Sequence, residues 1–393
     1  MGHGVNMKKT LLLASPFWPK HSGLSAYGSI LARELEKDWD VTLLTDDYTV
    51  LDEELSAFPV IRHVPGTRYT GFDAILYNFG NEPEGCCYML DALHLNPGWV
   101  ILHSISLFNV MMAREEAEGT AFAYLLEKYG VDGVRLLQDS VEKHNSRTFH
   151  DQRDLAAAMP MNEEVISLAQ GVFVHSRYAA GLVRKAVGQK RVCVIPRIID
   201  PIDEIGSREA HSICQEYWGI PGGAFVVAAI GFIEQNKQNV LSCQAVELYN
   251  RTHSRKIYYL MVGEGHAADA YLGEYCKKTG FVSNALLAQG LARADLVLNL
   301  RNPTNGETSG TLLQAMLMGR DCVTTRIGSY DELSDTVVRK LPPELTAEEL
   351  AAVFEDAVDG GLELGDRARE YVKSEHSPEK TAELITKSLM AML

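Results

Sequence analysis

The sequence predicts an α/β chain built as two doubly wound parallel-sheet halves with a cleft between them. Three observations predict it. Short apolar runs alternate with segments of helical apolar spacing along nearly the whole chain. The alternation breaks at Pro196–Ser207 (PRIIDPIDEIGS) and then restarts, so the whole unit recurs on each side of a hinge. Loops rich in Gly, Asn, Ser and Thr follow several strands, at the edge where open parallel sheets bind ligands.

Taken in order, Leu11–Ser15 is a first buried strand and PFWPKHSGLSAYG the loop after it. Leu24, Tyr27, Leu31 and Leu35, with Ile30 on the same face, space a helix. Val41–Thr45, Ala74–Phe79 and Trp99–His103 are further strands, the last two bracketing a helical Glu84–Leu95. Residues 104–170 read as mostly helical, with a polar insert DSVEKHNSRTFHDQRD and a helix entry at Pro160-Met161-Asn162. Val172–Ser176 and Val192–Pro196 are strands around a helix that ends near Gly188. Beyond the hinge come a strand Phe225–Ile230, a helix Asn239–Asn250 and a strand Lys256–Val262. A helix, a further apolar stretch and a strand Leu296–Leu300 are expected next. Then come a loop, a helix through Leu312, Leu313, Met316 and Leu317, and strands at Cys322–Thr325 and Val337–Leu341. Helices near 346–358, 363–374 and 378–392 close the chain.

The 393 residues carry 37 Lys+Arg against 52 Asp+Glu, a net charge of -15. Residues 1–200 hold 19 basic and 25 acidic side chains, so neither half is basic. That excludes nucleic acid as a partner, which needs concentrated positive charge. It disfavours stable docking on an anionic membrane, although peripheral membrane contact through a local basic patch stays open. Seven cysteines, an odd number without Cys-x-x-Cys, argue against a disulfide framework or a zinc site. The opening MKKTLLLASPFWP has too short an apolar part for a signal peptide, and no run reaches transmembrane length. The expected setting is the cytoplasm.

The candidate residues sit in loops after strands. In the first half these loops are Lys20-His21-Ser22-Gly23, Gly80-Asn81-Glu82 and His103-Ser104. Gly23 is either a binding glycine or a turn. His103 either bonds a sugar hydroxyl or is a satisfied structural histidine. Asp46-Asp47 is read as a solvated turn rather than a metal site. In the second half GFIEQNK at 231–237 offers Lys237 for a phosphate, and Gly263-Glu264-Gly265 makes a turn or a base-contacting loop. RNPTNGETSGTLLQAML, from Arg301, runs through a small-residue loop into a helix. Its Gly306, Thr308, Ser309 and Gly310 let a phosphate approach the backbone at the helix start. Glu307 is a general base, a ribose ligand or a capping carboxylate. No Walker loop, Ser-His-Asp signature or HExxH occurs.

These segments in order resemble the family 4 glycosyltransferases, retaining enzymes of the group 1 type with the two-Rossmann-domain GT-B fold. The resemblance rests on PFWPKHSGLSAYGSILARELEKDWDVTLLT, on Gly80-Asn81 with PGWVILH, and on AQGVFVHSRYAAGLV. VCVIPRIID, GFIEQNK and the stretch from Arg301 to Leu333 complete it, over nearly all of Lys8–Leu393. It implies an acceptor-binding domain at 7–200, a nucleotide-sugar-binding domain at 201–376, and a helix at 377–393 that crosses back onto the first domain. Lys237 and the 306–310 backbone would hold the donor phosphates, with Glu307 and Gln314 completing the donor site. Ser22, Gly23, Leu24, Asn81 and His103 would line the substrate side, and His103, Lys237 and Glu307 would carry the chemistry. No cofactor and no metal are expected; a nucleotide-diphosphate sugar is the donor, and the acceptor is unidentified. The chain departs from the family pattern at Phe232 (often Arg), Ser104 (often Asp), Glu84-Gly85 (often His) and Gln314 with Gly306 (often a Glu pair). The expected function is metal-independent, retaining sugar transfer. The alternatives are a non-catalytic glycosyltransferase-like subunit and a sugar-nucleotide epimerase.

Overall fold

The structure, a computed structural model, describes residues 8–20, 22–145, 147–150, 152, 155–188, 190–199 and 214–393. His21, most of the expected hinge and the expected boundary at 200–201 lie outside the described residues. The chain forms two compact units: 1–198 with 305–308 and 377–393, and 199–304 with 309–376.

Unit 1 holds β1 (Lys9–Ala14), β2 (Trp39–Thr45), β3 (Val60–Arg62), β4 (Ala74–Phe79), β5 (Trp99–Leu102), β6 (Gly171–Val174) and β7 (Val192–Val194). They pair in the order β3-β2-β1-β4-β5-β6-β7, every ladder parallel. Leu11, Leu12, Leu13 and Ala14 of β1 are fully buried, because helices cover both faces of a parallel sheet. Alternate residues feed opposite cores. Leu12, Ala14, Leu44, Tyr77, Phe79, Val100 and Leu102 pack on one side. Leu11, Leu13, Val41, Leu43, Leu76, Ile101 and Phe173 pack on the other. Gly171 opens β6 because a Cβ there would stand 2.6 Å from the Trp99 ring, itself stacked on Phe173 at 4.6 Å.

The helices of unit 1 are α1 (Gly23–Glu36), α2 (Pro83–Leu95), α3 (Phe108–Glu118), α4 (Ala121–His144), α5 (Glu163–Leu168) and α6 (Arg177–Val187). The region expected to be mostly helical is thus α3 to α5, with α4 broken at Gly130. The closing helix also packs in unit 1. Its Ala382, Ile385 and Leu389 enter the α1-side core, and Trp39 Nε1 donates to Thr386 Oγ1 at 3.0 Å.

Unit 2 holds β8 (Phe225–Ile230), β9 (Ile257–Val262), β10 (Cys276–Lys278), β11 (Leu296–Asn299), β12 (Asp321–Thr325) and β13 (Arg339–Leu341). Their order is β10-β9-β8-β11-β12-β13, again all parallel. The helices that follow are α7 (Asn239–Thr252), α8 (Asn284–Arg293), α9 (Gly310–Leu317), α10 (Ala347–Val358) and α11 (Gly365–Glu375), with α12 (Pro378–Met390) the closing helix. Thr346 and Glu349 form a capping box on α10.

Two short edge strands, β3 and β10, escape the apolar pattern because VIR and CKK are too short and too exposed to show alternation. The helix expected directly after Val262 is absent there, and the apolar stretch at 284–293 is the helix instead. Gly263 and Gly265, at φ 150° and 133°, hold that first segment out of helical conformation.

Candidate functional site

In unit 1 the carboxyl edge of the sheet is a buried polar network. It lies where the strand order switches between β1 and β4, the position at which doubly wound sheets bind ligands. Asn78, in β4, is fully buried and donates through Nδ2 to Ser15 Oγ at 3.0 Å and to Leu24 O at 3.2 Å. Its Oδ1 lies 2.6 Å from His103 Nε2. His103 Nδ1 lies 3.0 Å from Arg197 Nη1 and 3.1 Å from His175 Nε2. His175 Nδ1 faces Ile195 O at 3.2 Å. The Tyr27 ring stands edge-on to His103, centroids 4.4 Å apart. Burial pushes His103 well below the ordinary histidine value of 6.5, and His175 and Arg197 push it the same way. Burial pushes the Tyr27 hydroxyl up, partly offset by Arg197.

The start of α1 is organised by Ser22, whose Oγ accepts from Leu24 N at 3.0 Å as an N-cap. Gly23 is exposed, and a Cβ there would meet nothing within 4 Å, so packing does not demand glycine. Packing does demand it at two neighbours. A Cβ on Gly28 would stand 2.3 Å from Ser15 Oγ, and one on Gly80 would stand 2.4 Å from Leu24 Cδ1. Asn81 caps α3 from another loop: its Oδ1 accepts from Asn109 N at 2.8 Å and Val110 N at 3.3 Å. Asp46 turns its carboxylate onto Asp47 N, and Asp47 pairs with Arg62 at 3.5 Å, as a solvated turn would. Gly306 is buried in unit 1; a Cβ there would come within 2.7 Å of Ile105 Cγ1. Glu307 Oε2 accepts from Asn305 N at 2.9 Å, which tightens this loop on itself. Thr308 Oγ1 makes a long 3.5 Å contact to His175 O.

In unit 2 the carboxyl edge is built from backbone. Gly231 N donates to Val262 O at 2.9 Å. A Cβ on Gly263 would stand 2.2 Å from Gly231 O, and one on Gly265 would stand 2.2 Å from Ile233 O. The Gly263-Glu264-Gly265 turn therefore lies flat against residues 231–233. Lys237 closes the short 3-10 turn Gln235–Lys237 and is half-buried. Its Nζ stands 3.0 Å from where a Gly231 Cβ would be, and 5.8 Å from the Phe232 ring centroid. Ser309 is the N-cap of α9: its Oγ accepts from Leu312 N at 3.2 Å and from Asn299 Nδ2 at 3.1 Å. Gly310 is the first helical residue, and Gln314 sits half-buried one turn on. The N-terminal N–H groups of this helix carry its partial positive charge.

The structure thus joins His103 to the switch point of unit 1, and places Lys237 and the start of α9 at strand ends in unit 2. It gives Asn81, Ser22 and Ser309 capping duties. Sequence reasoning did not single out Tyr27, Asn78, His175 or Arg197. The one signal for Asn78, His175 and Arg197 was position: Asn78 is the next-to-last residue of an apolar strand, His175 directly follows β6, and Arg197 comes three residues after β7. Among the described residues no cluster of His, Cys, Asp and Glu has metal-binding geometry, and no helix is long and apolar enough to cross a membrane.

Residues 224–359 match the model of the family "Glycosyl transferases group 1". That segment contains β8 through α10, including Lys237 and the start of α9. No curated protein matches the chain. Among solved structures, HepE from Anabaena, solved in complex with UDP and glucose, superposes with a TM-score of 0.60. It is 14% identical, with 98% of this chain and 100% of that chain covered. Sucrose-phosphate synthase from Thermosynechococcus elongatus gives 0.61 at 13% identity, covering 98% and 99%. WaaG, a glycosyltransferase involved in lipopolysaccharide biosynthesis, gives 0.59 at 15%, covering 96% and 99%. At these identities the structures show a shared fold. The match of residues 224–359 to the group 1 glycosyl transferases thus falls within a chain that shares the fold of these structures.

Proposed function

We propose that the chain transfers a sugar from a nucleotide-diphosphate sugar to an acceptor hydroxyl, with retention at the anomeric carbon and without a divalent metal. The observation that carries this reading is the family match over 224–359, because it spans the two features suited to a diphosphate. Lys237 offers a half-buried ammonium held in place by Gly231 and Phe232. The start of α9 offers capped but ligand-ready backbone N–H groups. Both would stabilise the negative charge that develops on the leaving diphosphate. Gln314 would bond a ribose diol, and Glu307 with Gly306 and Thr308 would line the donor. HepE is also solved with UDP-glucose, so a UDP-sugar is the first donor to test.

The bond from the anomeric carbon to the donor phosphate breaks, and the acceptor oxygen bonds that carbon on the same face. The acceptor proton passes to the departing phosphate oxygen. This route suits unit 1, where His103 commits both ring nitrogens to protein partners. Seven free cysteines suit a reducing compartment such as the cytoplasm, which cell fractionation would check.

The test is a panel of UDP-, GDP-, ADP- and dTDP-sugars, with and without EDTA, followed by nucleotide release. The expected result is release from one donor, unchanged by EDTA, and a product whose anomeric proton coupling matches the donor. Release abolished by EDTA, or an inverted product, would overturn the metal-free or the retaining part. Binding without turnover for every donor and acceptor would favour a non-catalytic subunit.

A further inference from the structure

We infer that Arg197 and Asn78 are positioning residues that hold His103 as a single neutral tautomer, with its proton on Nε2. The inference deepens the reading above, because its meaning for catalysis rests on unit 1 serving sugar transfer.

Each hydrogen-bond direction in the network follows from chemistry. A carbonyl oxygen can only accept, so Ser15 Oγ donates to Pro16 O, 2.8 Å away. That leaves the Ser15 oxygen to accept from Asn78 Nδ2 at 3.0 Å. With Nδ2 fixed as the donor, also to Leu24 O, Asn78 Oδ1 is the acceptor that faces His103. Nε2 of His103 therefore carries hydrogen and donates at 2.6 Å. At the other end a guanidinium has five donors and no acceptor, and it keeps its proton at any ordinary pH. His103 Nδ1, 3.0 Å from Arg197 Nη1, is therefore the lone-pair side. The chain runs one way, from Arg197 through His103, Asn78 and Ser15 to Pro16 O. It stitches the segment after β7 to the ends of β5, β4 and β1.

The groups facing the ring are Tyr27 from α1, Asn78 from β4, His175 after β6 and Arg197 after β7. Of these only Tyr27, His175 and Arg197 can change or carry charge. His175, whose Nδ1 must donate to Ile195 O, turns a bare Nε2 toward Nδ1 when neutral, and the permanent cation of Arg197, 3.0 Å away, opposes a proton there. His103 so held has no nitrogen left to take the acceptor's proton. It serves as a fixed, uncharged wall, and the proton must travel elsewhere.

The test is nitrogen NMR of the full chain labelled with 15N-histidine. The His103 lines are identified by their loss in His103→Gln, or by Overhauser contact to Tyr27 if that variant is unstable. The expected wild-type result is hydrogen on Nε2 and no protonation between about pH 5.5 and 8. Arg197→Lys, which keeps a donor, should preserve both features. Arg197→Met should move the Nδ1 line to that of an unbonded lone pair and raise the protonation midpoint by about one pH unit. Hydrogen on Nδ1, protonation of the wild-type ring inside that window, or an unmoved Nδ1 line in Arg197→Met would each overturn the inference. With a working donor, Arg197→Met should also gain an acid limb in kcat/KM that Arg197→Lys lacks. If no donor is turned over, the proposed function fails while the nitrogen lines still decide the tautomer.

Discussion

The two units solve the same problem in opposite ways. Each is a parallel sheet whose carboxyl edge must hold polar groups in fixed places. Unit 1 does it with side chains: Ser15, Asn78, His103, His175 and Arg197 are locked by hydrogen bonds over buried ground. Unit 2 does it with backbone: glycines at 231, 263 and 265 let two loops touch, and Lys237, in loops that also carry Glu234 and Glu264, rests on the glycine surface. A side-chain network holds its members by bonds to one another, with the Tyr27 hydroxyl left without a hydrogen bond. A glycine-lined edge brings backbone close to where a ligand would lie. The difference matches the proposed division of labour, with a hydrogen-bonded side-chain surface for the sugar and acceptor and a backbone edge beside Lys237 for the diphosphate.

The sharpest way to test the comparison is to remove the cation. Lys237→Ala should lower kcat with the best donor by about 10²–10³-fold, on the order of 3–4 kcal/mol of transition-state stabilisation. Tm should move little, since Lys237 is a half-buried side chain on a short turn. Steady-state nucleotide release checks it, and near-wild-type turnover would remove Lys237 from the diphosphate site.

Next in size is the backbone edge itself. Gly265→Ala would place a Cβ about where Ile233 O stands, 2.2 Å away, at φ 133°. Left-handed strain costs about 1–3 kcal/mol and the carbonyl must also retreat, so a loss of about 3 kcal/mol is expected. Urea unfolding measures it. Gly23→Ala, with nothing within 4 Å, should by contrast leave stability unchanged.

This contrast also explains what could be read from the sequence. The sheets were legible because parallel strands buried on both faces are continuous apolar runs, such as Leu11–Ala14 and Leu296–Asn299. The edge of unit 2 was legible because its parts are close in sequence: Gly231 to Lys237, Gly263 to Gly265, and Ser309 to Gln314. The edge of unit 1 was not. Ser15, Asn78, His103, His175 and Arg197 come from separate strands and meet only through the strand order. No local spacing announces such a set. The capping of α3 by Asn81 was hidden for a related reason, since it spans 28 residues. The strands β3 and β10 were hidden by brevity, three residues each.

A smaller effect is expected where the unit 1 network is cut. Asn78→Leu keeps the volume but strands His103 Nε2–H and takes one bond each from Ser15 Oγ, which still donates to Pro16 O, and from Leu24 O. Leaving buried polar groups unpaired costs about 1–3 kcal/mol, so a loss of about 2 kcal/mol in urea unfolding is expected. A neutral result would mean that water replaces the amide and that the edge is less closed than the comparison holds.

The smallest effect distinguishes a neutral buried histidine from an ordinary one. In the folded chain His103 is pushed well below 6.5 by burial, His175 and Arg197, whereas unfolding returns it to about 6.5. Below that pH the unfolded state binds the extra proton, so stability falls as pH drops. The contribution of His103 is therefore fully present above about pH 6.5 and lost as pH falls toward the folded value. Its slope reaches at most about 1.4 kcal/mol per pH unit. Other groups titrate in the same range, so the informative quantity is a difference. Unfolding free energies of the wild type and His103→Gln, measured from about pH 7.5 to 5, should converge as pH falls. Parallel curves would mean that His103 titrates alike in both states, and the side-chain edge of unit 1 would then be as open to charge as the backbone edge of unit 2.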